Sequence, residues 1–432
     1  MKENIYKVHG EANFISYDER SDVQIVVDKE ENVYLGHPST VTLADGKTVF
    51  MVYPKSHGFG QIVMKKSEDG GKSWSGRLCV PESYSTSLEC PTIFRMEDAK
   101  GKSRIMVFTG RYPFRVSISE DDGAHFSEFK PIGDFGGFFI STMIPFGNGR
   151  YMALFHDEGA YIHGGRDVKS VIYRAGCGEN MQTRLVSYES EDNGKTYGSE
   201  AKPYWRNCSS IYDNEVWESI YECYHGKNFP DKHFELYSIE TTDGGLTWSS
   251  PRMICTHPTA KLCEPCAIYS PDKGEIAVLL RDNSRKHNSF VITSQDKGKT
   301  WSNPQEVCDS LTGDRHMATY LDDGRLFITL RDKKKGSDLE NNWVAWVGSY
   351  EDMVNGRVGD CRILLKRHRF NETERVPWDC AYPCVEKMYD GSILLATYGR
   401  WEENKEHYIL SIRLSEDELK KIPAGKKDIK EV

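Results

Sequence analysis

The chain has 432 residues, of which 38% are apolar and 28% charged, and a net charge of −9, a composition that fits a soluble globular protein with a sizeable core. The acidic balance and the lack of a long basic run argue against a nucleic-acid partner, and no run of about 18 apolar residues is present to span a membrane. The opening MKENIYKVHGEANF has no apolar h-region, so a cytoplasmic location is expected, or a periplasmic or secreted one if a leader has been trimmed.

In chain order, the first predicted element is a hairpin, His37–Leu43 with Lys47–Tyr53, turning at Asp45-Gly46. The octet SEDGGKSW follows at 67–74. A second hairpin, Cys90–Met96 with Arg104–Gly110, precedes SEDDGAHF at 119–126. A third, Thr142–Phe146 with Arg150–His156, turns at Asn148-Gly149. Residues 158–235 carry SEDNGKTY at 190–197 but no clean hairpin, and read as an insertion in the third unit, with a complete extra unit as the alternative. TTDGGLTW follows at 241–248, then the hairpin Glu264–Ser270 with Glu275–Arg281, then SQDKGKTW at 294–301. Two last hairpins are Arg315–Asp322 with Arg325–Asp332 and Tyr382–Met388 with Ser392–Tyr398.

The octets share the pattern Ser/Thr-x-Asp-x-Gly-x-x-aromatic, with start-to-start spacings of 52, 71, 51 and 53 residues. Length alone would allow two or three domains, but a period near 50 residues is that of propeller blades. The residue types suit a tight turn: Asp accepts from turn amides, Gly supplies positive φ, and the ring packs between sheets. These octets are Asp-boxes, and the chain resembles the sialidase (neuraminidase) superfamily over roughly residues 33–415. The resemblance implies an all-β fold: a single six-bladed β-propeller of four-stranded antiparallel blades, with seven blades as the alternative. The boxes themselves are turn elements that carry no chemistry.

Unbroken hairpins bring polar residues to one shared end. Glu264 then faces Arg281, Arg315 faces Asp332, His316 faces Arg331, Tyr382 faces Gly399, and His37 faces Pro54 with Lys55 next. In a propeller such ends gather at one mouth of the central channel. Residues 262–301 resemble the sialidase segment in which a glutamate opens one strand and an arginine ends the next. On that match Glu264 is the general base and Arg281 grips a substrate carboxylate. Ala381-Tyr382-Pro383 resembles the nucleophile strand, which makes Tyr382 the nucleophile. A neutral phenol suits a substrate whose own carboxylate would repel a carboxylate nucleophile, provided a glutamate takes the proton. Packing for the tyrosine and a cross-strand ion pair for Glu264 and Arg281 are the plain alternatives.

The sequence departs from the family at three points. Gly36-His37-Pro38 stands where an arginine motif opens the first blade, and the loop Lys55-Ser56-His57-Gly58 lacks the acid/base aspartate. His57, Lys55 or Asp157 would then act, with His37 nearby. The third arginine is not cleanly placed, leaving Arg315 or Arg331 to supply it, with His316 beside them. Trp378 and Trp401 flank the Tyr382 hairpin and are candidates to stack on a sugar ring. The twelve cysteines read as free thiols, Cys263, Cys266, Cys380 and Cys384 among them half-buried, with no metal and no cofactor expected. The leading expectation is an exo-acting glycosidase for sialic acid or a related acidic sugar. A glycan lyase working through histidines and a non-catalytic carbohydrate-binding propeller are the alternatives.

Overall fold

The computed structural model describes residues 12–157, 162, 234–369 and 378–425, together with the backbone of the strands Val168–Ala175, Gln182–Glu189 and Lys202–Asn207. The box at 190–197 lies outside the described residues.

Six small antiparallel sheets form a six-bladed propeller. Their innermost strands are Ser39–Thr42, Thr92–Glu97, Thr142–Gly147, Leu262–Tyr269, Gly313–Tyr320 and Cys384–Lys387. Each pairs with a second strand buried on both faces, such as VFMVYP at Val49–Pro54, WVAWVG being its third-strand counterpart in the fifth blade at Trp343–Gly348. Such continuous apolar runs are what a strand with sheet on either side requires. The first blade has three strands, the others four, and the fifth a further parallel strand, Asn13–Ser16, on its outer edge. Gln24–Asp28 pairs with Tyr408–Leu414 as the outermost strand of the sixth blade, so both ends of the described chain close the ring and cover edges. In the third blade Arg150–Asp157 pairs directly with Glu235–Thr241, and the three strands lying between them in sequence form a separate sheet.

The core is a set of apolar layers between neighbouring blades. Val52, Ile62, Ile93 and Val107 fill the first-to-second interface, and Phe327, Trp343, Leu395 and Ile412 the fifth-to-sixth. The boxes lock these layers. Asp69 Oδ1 accepts from Ser67 Oγ at 2.8 Å and from the Ser73 amide at 2.9 Å, and Asp121, Asp243 and Asp296 repeat the arrangement. The box glycine explains itself by packing. At Gly245 (φ +91°) a Cβ would lie 2.7 Å from Met106 Sδ in the preceding blade.

The hairpin registers differ from the expected ones at the ends that matter. Cys263, not Glu264, pairs with Arg281, and the ladder resumes only at Cys266 with Leu279. Gly313 pairs with Asp332 and Asp314 with Arg331, the ladder resuming at Met317 with Thr329. Residues 264–265 and 315–316 therefore bulge out of their sheets. The fifth and sixth hairpins also turn over one residue more than expected, and Tyr382 precedes its strand, which starts at Cys384. Bulges re-aim side chains, and here the backbone is left-handed at His37 (φ 50°), Glu264 (φ 52°), Arg315 (φ 51°) and Ala381 (φ 54°). Each costs about 1–3 kcal/mol in a non-glycine residue. All four lie within three residues of the start of the innermost strand of their blade.

Candidate active site

The Glu264 bulge turns its carboxylate inward, where three blades meet on it. The Tyr382 hydroxyl donates to Oε1 at 2.5 Å, Arg281 Nη1 donates to the same oxygen at 2.6 Å, and the Arg315 amide donates to Oε2 at 3.1 Å. Arg281 Nη1 also donates to the Tyr382 oxygen. Burial would raise Glu264, yet Arg281 and the Tyr382 hydroxyl hold it below the ordinary carboxylate value. Tyr382 is pushed well above the ordinary phenol, by burial first, and so stays neutral.

A second centre lies behind this one. Asp314, fully buried, is surrounded by three arginines. Arg331 donates to Oδ2 through Nε at 3.0 Å and Nη2 at 2.7 Å; Arg285 forks onto both oxygens; Arg281 Nε stands 3.0 Å from Oδ1. Against its burial, Arg281, Arg285 and Arg331 hold Asp314 well below the usual carboxylate range. Arg331 also donates to the carbonyl oxygens of Trp378 and Cys380, and its guanidinium lies 5.0 Å from the Tyr382 ring centre.

The third centre is Asp379. His57 Nδ1 is 2.6 Å from Oδ2, the Tyr34 hydroxyl donates to the same oxygen, and the Tyr398 hydroxyl donates to Oδ1 at 2.7 Å. Asp379 is held well below the usual range by His57, against its burial. As an ionised acceptor it assigns the proton to His57 Nδ1. Tyr398, having donated its hydrogen, accepts from His37 Nε2 at 3.0 Å, which leaves His37 Nδ1 to accept from the Cys90 thiol at 2.9 Å. Burial lowers His37 well below the ordinary imidazole and raises the Cys90 thiol, so both remain neutral. His57 differs: burial opposes its charge, but Asp379 raises it above the ordinary imidazole value. Its side chain is 37% exposed, and the edge turned from Asp379 carries Nε2. The His37 ring joins the centres, 4.5 Å from the His57 ring and 4.8 Å from that of Tyr382. The donor atoms of His37, His57 and Asp379 lie within 4.8 Å of one another, close enough for a metal ion; the saturated Asp379 oxygens and the protonated His37 Nε2 make a proton network the better description.

Of the residues expected from sequence, Glu264, Arg281, Tyr382, Arg331, His37, His57 and the Arg315 backbone are thus brought together. Arg315 turns its guanidinium to the Ser141 carbonyl at 3.0 Å, over the Phe139 ring. His316 is fully buried and donates from Nε2 to the Leu311 carbonyl at 2.8 Å, which is a packing role. Asp157 is fully buried on the face turned to the second blade, because strand alternation gives the opposite face to His156. His156 is the one that reaches the site, accepting from the Glu264 amide at 3.4 Å. Lys55 is drawn off by Glu30 at 3.0 Å. Trp378 stands at the rim, 40% exposed, with Lys333 5.1 Å above its ring. Trp401 is buried between the fifth and sixth blades, too deep to meet a sugar. The nine described cysteines are free, and Cys263, Cys266, Cys380 and Cys384 are buried rather than half-buried.

Sequence reasoning passed over Arg285, Asp379, Tyr398, Tyr34, His156 and Lys333. A signal existed for Asp379, three residues before Tyr382. Arg285 follows the strand that carries Arg281, Ile276–Asp282, by one short loop, where a second arginine near the same mouth was legible. Lys333 sits beside Arg331; burial and that neighbour lower it to about 8.

A family model described as "BNR repeat-like domain" matches residues 178–421, more than half of the chain. The chain belongs to this BNR-repeat family. Its fold is similar to that of a Dyadobacter fermentans protein of unknown function, at 15% identity and a TM-score of 0.56, over 91% of this chain and 97% of that one. An intramolecular trans-sialidase from Ruminococcus gnavus matches at 16% identity and a TM-score of 0.43, over 90% of this chain and 96% of the other. The NanB sialidase of Streptococcus pneumoniae matches at 13% and 0.42, over 92% and 71%. Among the described residues, no helix of this BNR-repeat protein is long and apolar enough to cross a membrane.

Proposed function

We propose that the protein is a retaining, exo-acting glycoside hydrolase that works through a glycosyl–tyrosine intermediate on Tyr382. The observation that carries this reading is the Tyr382 hydroxyl donating to Glu264 Oε1 at 2.5 Å, with Arg281 donating to both. An ionised, buried glutamate against a neutral phenol is a base aimed at one proton.

In the first step the Tyr382 oxygen attacks the anomeric carbon while its proton passes to Glu264. Arg281 steadies the negative charge that builds on the phenol oxygen. The bond from the anomeric carbon to the leaving oxygen breaks, and protonated His57 gives that oxygen its proton, with Asp379 holding the ring and its charge. In the second step neutral His57 takes a proton from water as the water attacks the anomeric carbon. The bond to tyrosine breaks, and the phenol oxygen recovers its proton from Glu264. The enzyme ends as it began.

The test is Tyr382→Phe. Hydrolysis of whichever fluorogenic glycoside the wild type cleaves should fall by roughly 10² or more, and a fluorinated glycosyl donor should add its sugar mass to the Tyr382 peptide of the wild type alone. Unchanged turnover in the variant rejects the mechanism. The His57–Asp379 pair also supports a lyase reading, which predicts release of an unsaturated sugar absorbing in the ultraviolet.

A further inference from the structure

We propose that Asp314 is the specificity-determining residue of this site, and that it restricts the substrate to neutral sugars, those without a carboxylate. The inference rests on the hydrolase reading above and names its substrate class. It replaces the acidic sugar expected from sequence by a neutral glycoside.

The argument begins with donors. A ligand carboxylate is gripped by guanidinium forks that have nothing else to hold. Here the forks of Arg285 and Arg331 are already directed at Asp314, and Arg281 Nε lies 3.0 Å from it as an ion pair without a hydrogen bond. The remaining Arg281 donors go to Glu264, Tyr382 and Asn283, and Arg331 Nη1 goes to the Trp378 and Cys380 carbonyls. The protein has built the carboxylate into its own wall. A second carboxylate would have to compete with Asp314 for guanidinium forks that already hold a carboxylate. Among the described residues, Arg315 is the one arginine of this group with no carboxylate partner. Its guanidinium is turned to the Ser141 carbonyl over the Phe139 ring, so it adds no free fork for a ligand carboxylate.

The same placement accounts for the tyrosine. A phenol is needed wherever a carboxylate nucleophile would sit beside a fixed negative charge. Glu264 supplies that charge from the protein, in direct hydrogen-bond contact with Tyr382, behind which the arginines hold Asp314. A neutral substrate is therefore compatible with the Tyr382 mechanism.

The experiment is calorimetric titration of the wild type and of Asp314→Asn with N-acetylneuraminic acid, glucuronic acid and a panel of neutral methyl glycosides. The wild type should take up neither acid, and a neutral glycoside should bind. Asp314→Asn keeps the shape, frees the three arginines and should bind N-acetylneuraminic acid about tenfold or more tighter than the wild type. Saturable binding of either acid to the wild type, or no gain in the variant, overturns the proposal. If the variant does not fold, the wild-type titrations decide alone: uptake of an acid refutes it and refusal of both supports it. Failure here is separable from failure of the mechanism. A sialoside hydrolysed in a Tyr382-dependent way would keep the hydrolase and discard the neutral substrate, whereas a neutral sugar bound but never cleaved would do the reverse.

Discussion

Tyr382 and Glu264 lie 118 residues apart in the chain, on the sixth and fourth blades, yet the phenol donates to the carboxylate at 2.5 Å. The contact exists because Glu264 bulges out of its strand at φ 52° and Ala381, just before Tyr382, turns at φ 54°. Strain at two strand ends buys one hydrogen bond, which is a reason to look there for chemistry.

Glu264→Gln tests the direction of proton flow. The amide keeps the size and can still accept from Tyr382 and Arg281, but it cannot take a proton. Turnover should fall by roughly 10²–10⁴, with little change in the Kd of a substrate-like glycoside by titration. A loss in binding equal to the loss in turnover would assign Glu264 to ligand contact instead.

On the proposed mechanism, the His57–Asp379 pair should set the alkaline side of the pH profile. Asp379 raises His57 above 6.5, against the effect of burial. As the acid, His57 must be protonated, so the rate should fall as pH rises through that raised value. Asp379→Asn removes the charge that raises it, and the descending limb of kcat/KM should move to lower pH. The linked stability has the same sign: it is present below 6.5 and lost as pH rises through the folded value. A limb that stays in place assigns the titration to another group, of which Lys333, at about 8, is the nearest.

Much of the scaffold was legible because its determinants are local. An Asp-box is eight residues that satisfy one another, so Asp69, Asp121, Asp243 and Asp296 identify blades without knowledge of what lies next door. The convergence of Glu264, Arg281 and Tyr382 was legible through the resemblance, although the registers behind it assumed unbroken hairpins. A bulge leaves no mark in an apolar alternation, so Glu264 was paired with Arg281 where Cys263 belongs. The same parity error left His316 in the mouth rather than in the wall, while Asp157 was chosen for its residue type and faces away from the site, where His156 points in. Asp314 was hidden for a different reason. Its role depends on arginines from its own blade and the fourth, and no single segment shows that three guanidiniums share one carboxylate.

The boxes should bear on stability and not on turnover. Asp296 accepts from the Thr300 amide at 2.9 Å, the Thr300 hydroxyl at 2.6 Å and the Ser294 hydroxyl at 2.9 Å, on the outer side of the fourth blade. Asp296→Ala should lower the urea midpoint, because three donors lose their acceptor, with kcat and KM unaltered. A change in KM would bring the box loops into the binding surface.

Acid should weaken the fold through histidines that it keeps neutral. His156 lies against the Phe138 ring, stacked at 4.7 Å, and burial chiefly lowers it from 6.5 to about 3; His37 is lowered in the same direction. Below pH 6.5 the unfolded chain binds a proton that folded His156 refuses. Stability is therefore complete above 6.5 and falls as pH drops toward about 3. Between pH 6.5 and 5 this amounts to about 2 kcal/mol for His156. His156→Phe keeps an aromatic ring in the stack and has no proton to take up. Carboxylates titrate alike in both proteins, so the quantity to compare is the change in urea midpoint with pH. That change should be smaller in the variant, whatever its stability at neutral pH. Parallel lines would mean that His156 is protonated in the fold, next to Glu264 and Arg281, and that the charge balance of the whole site must be redrawn.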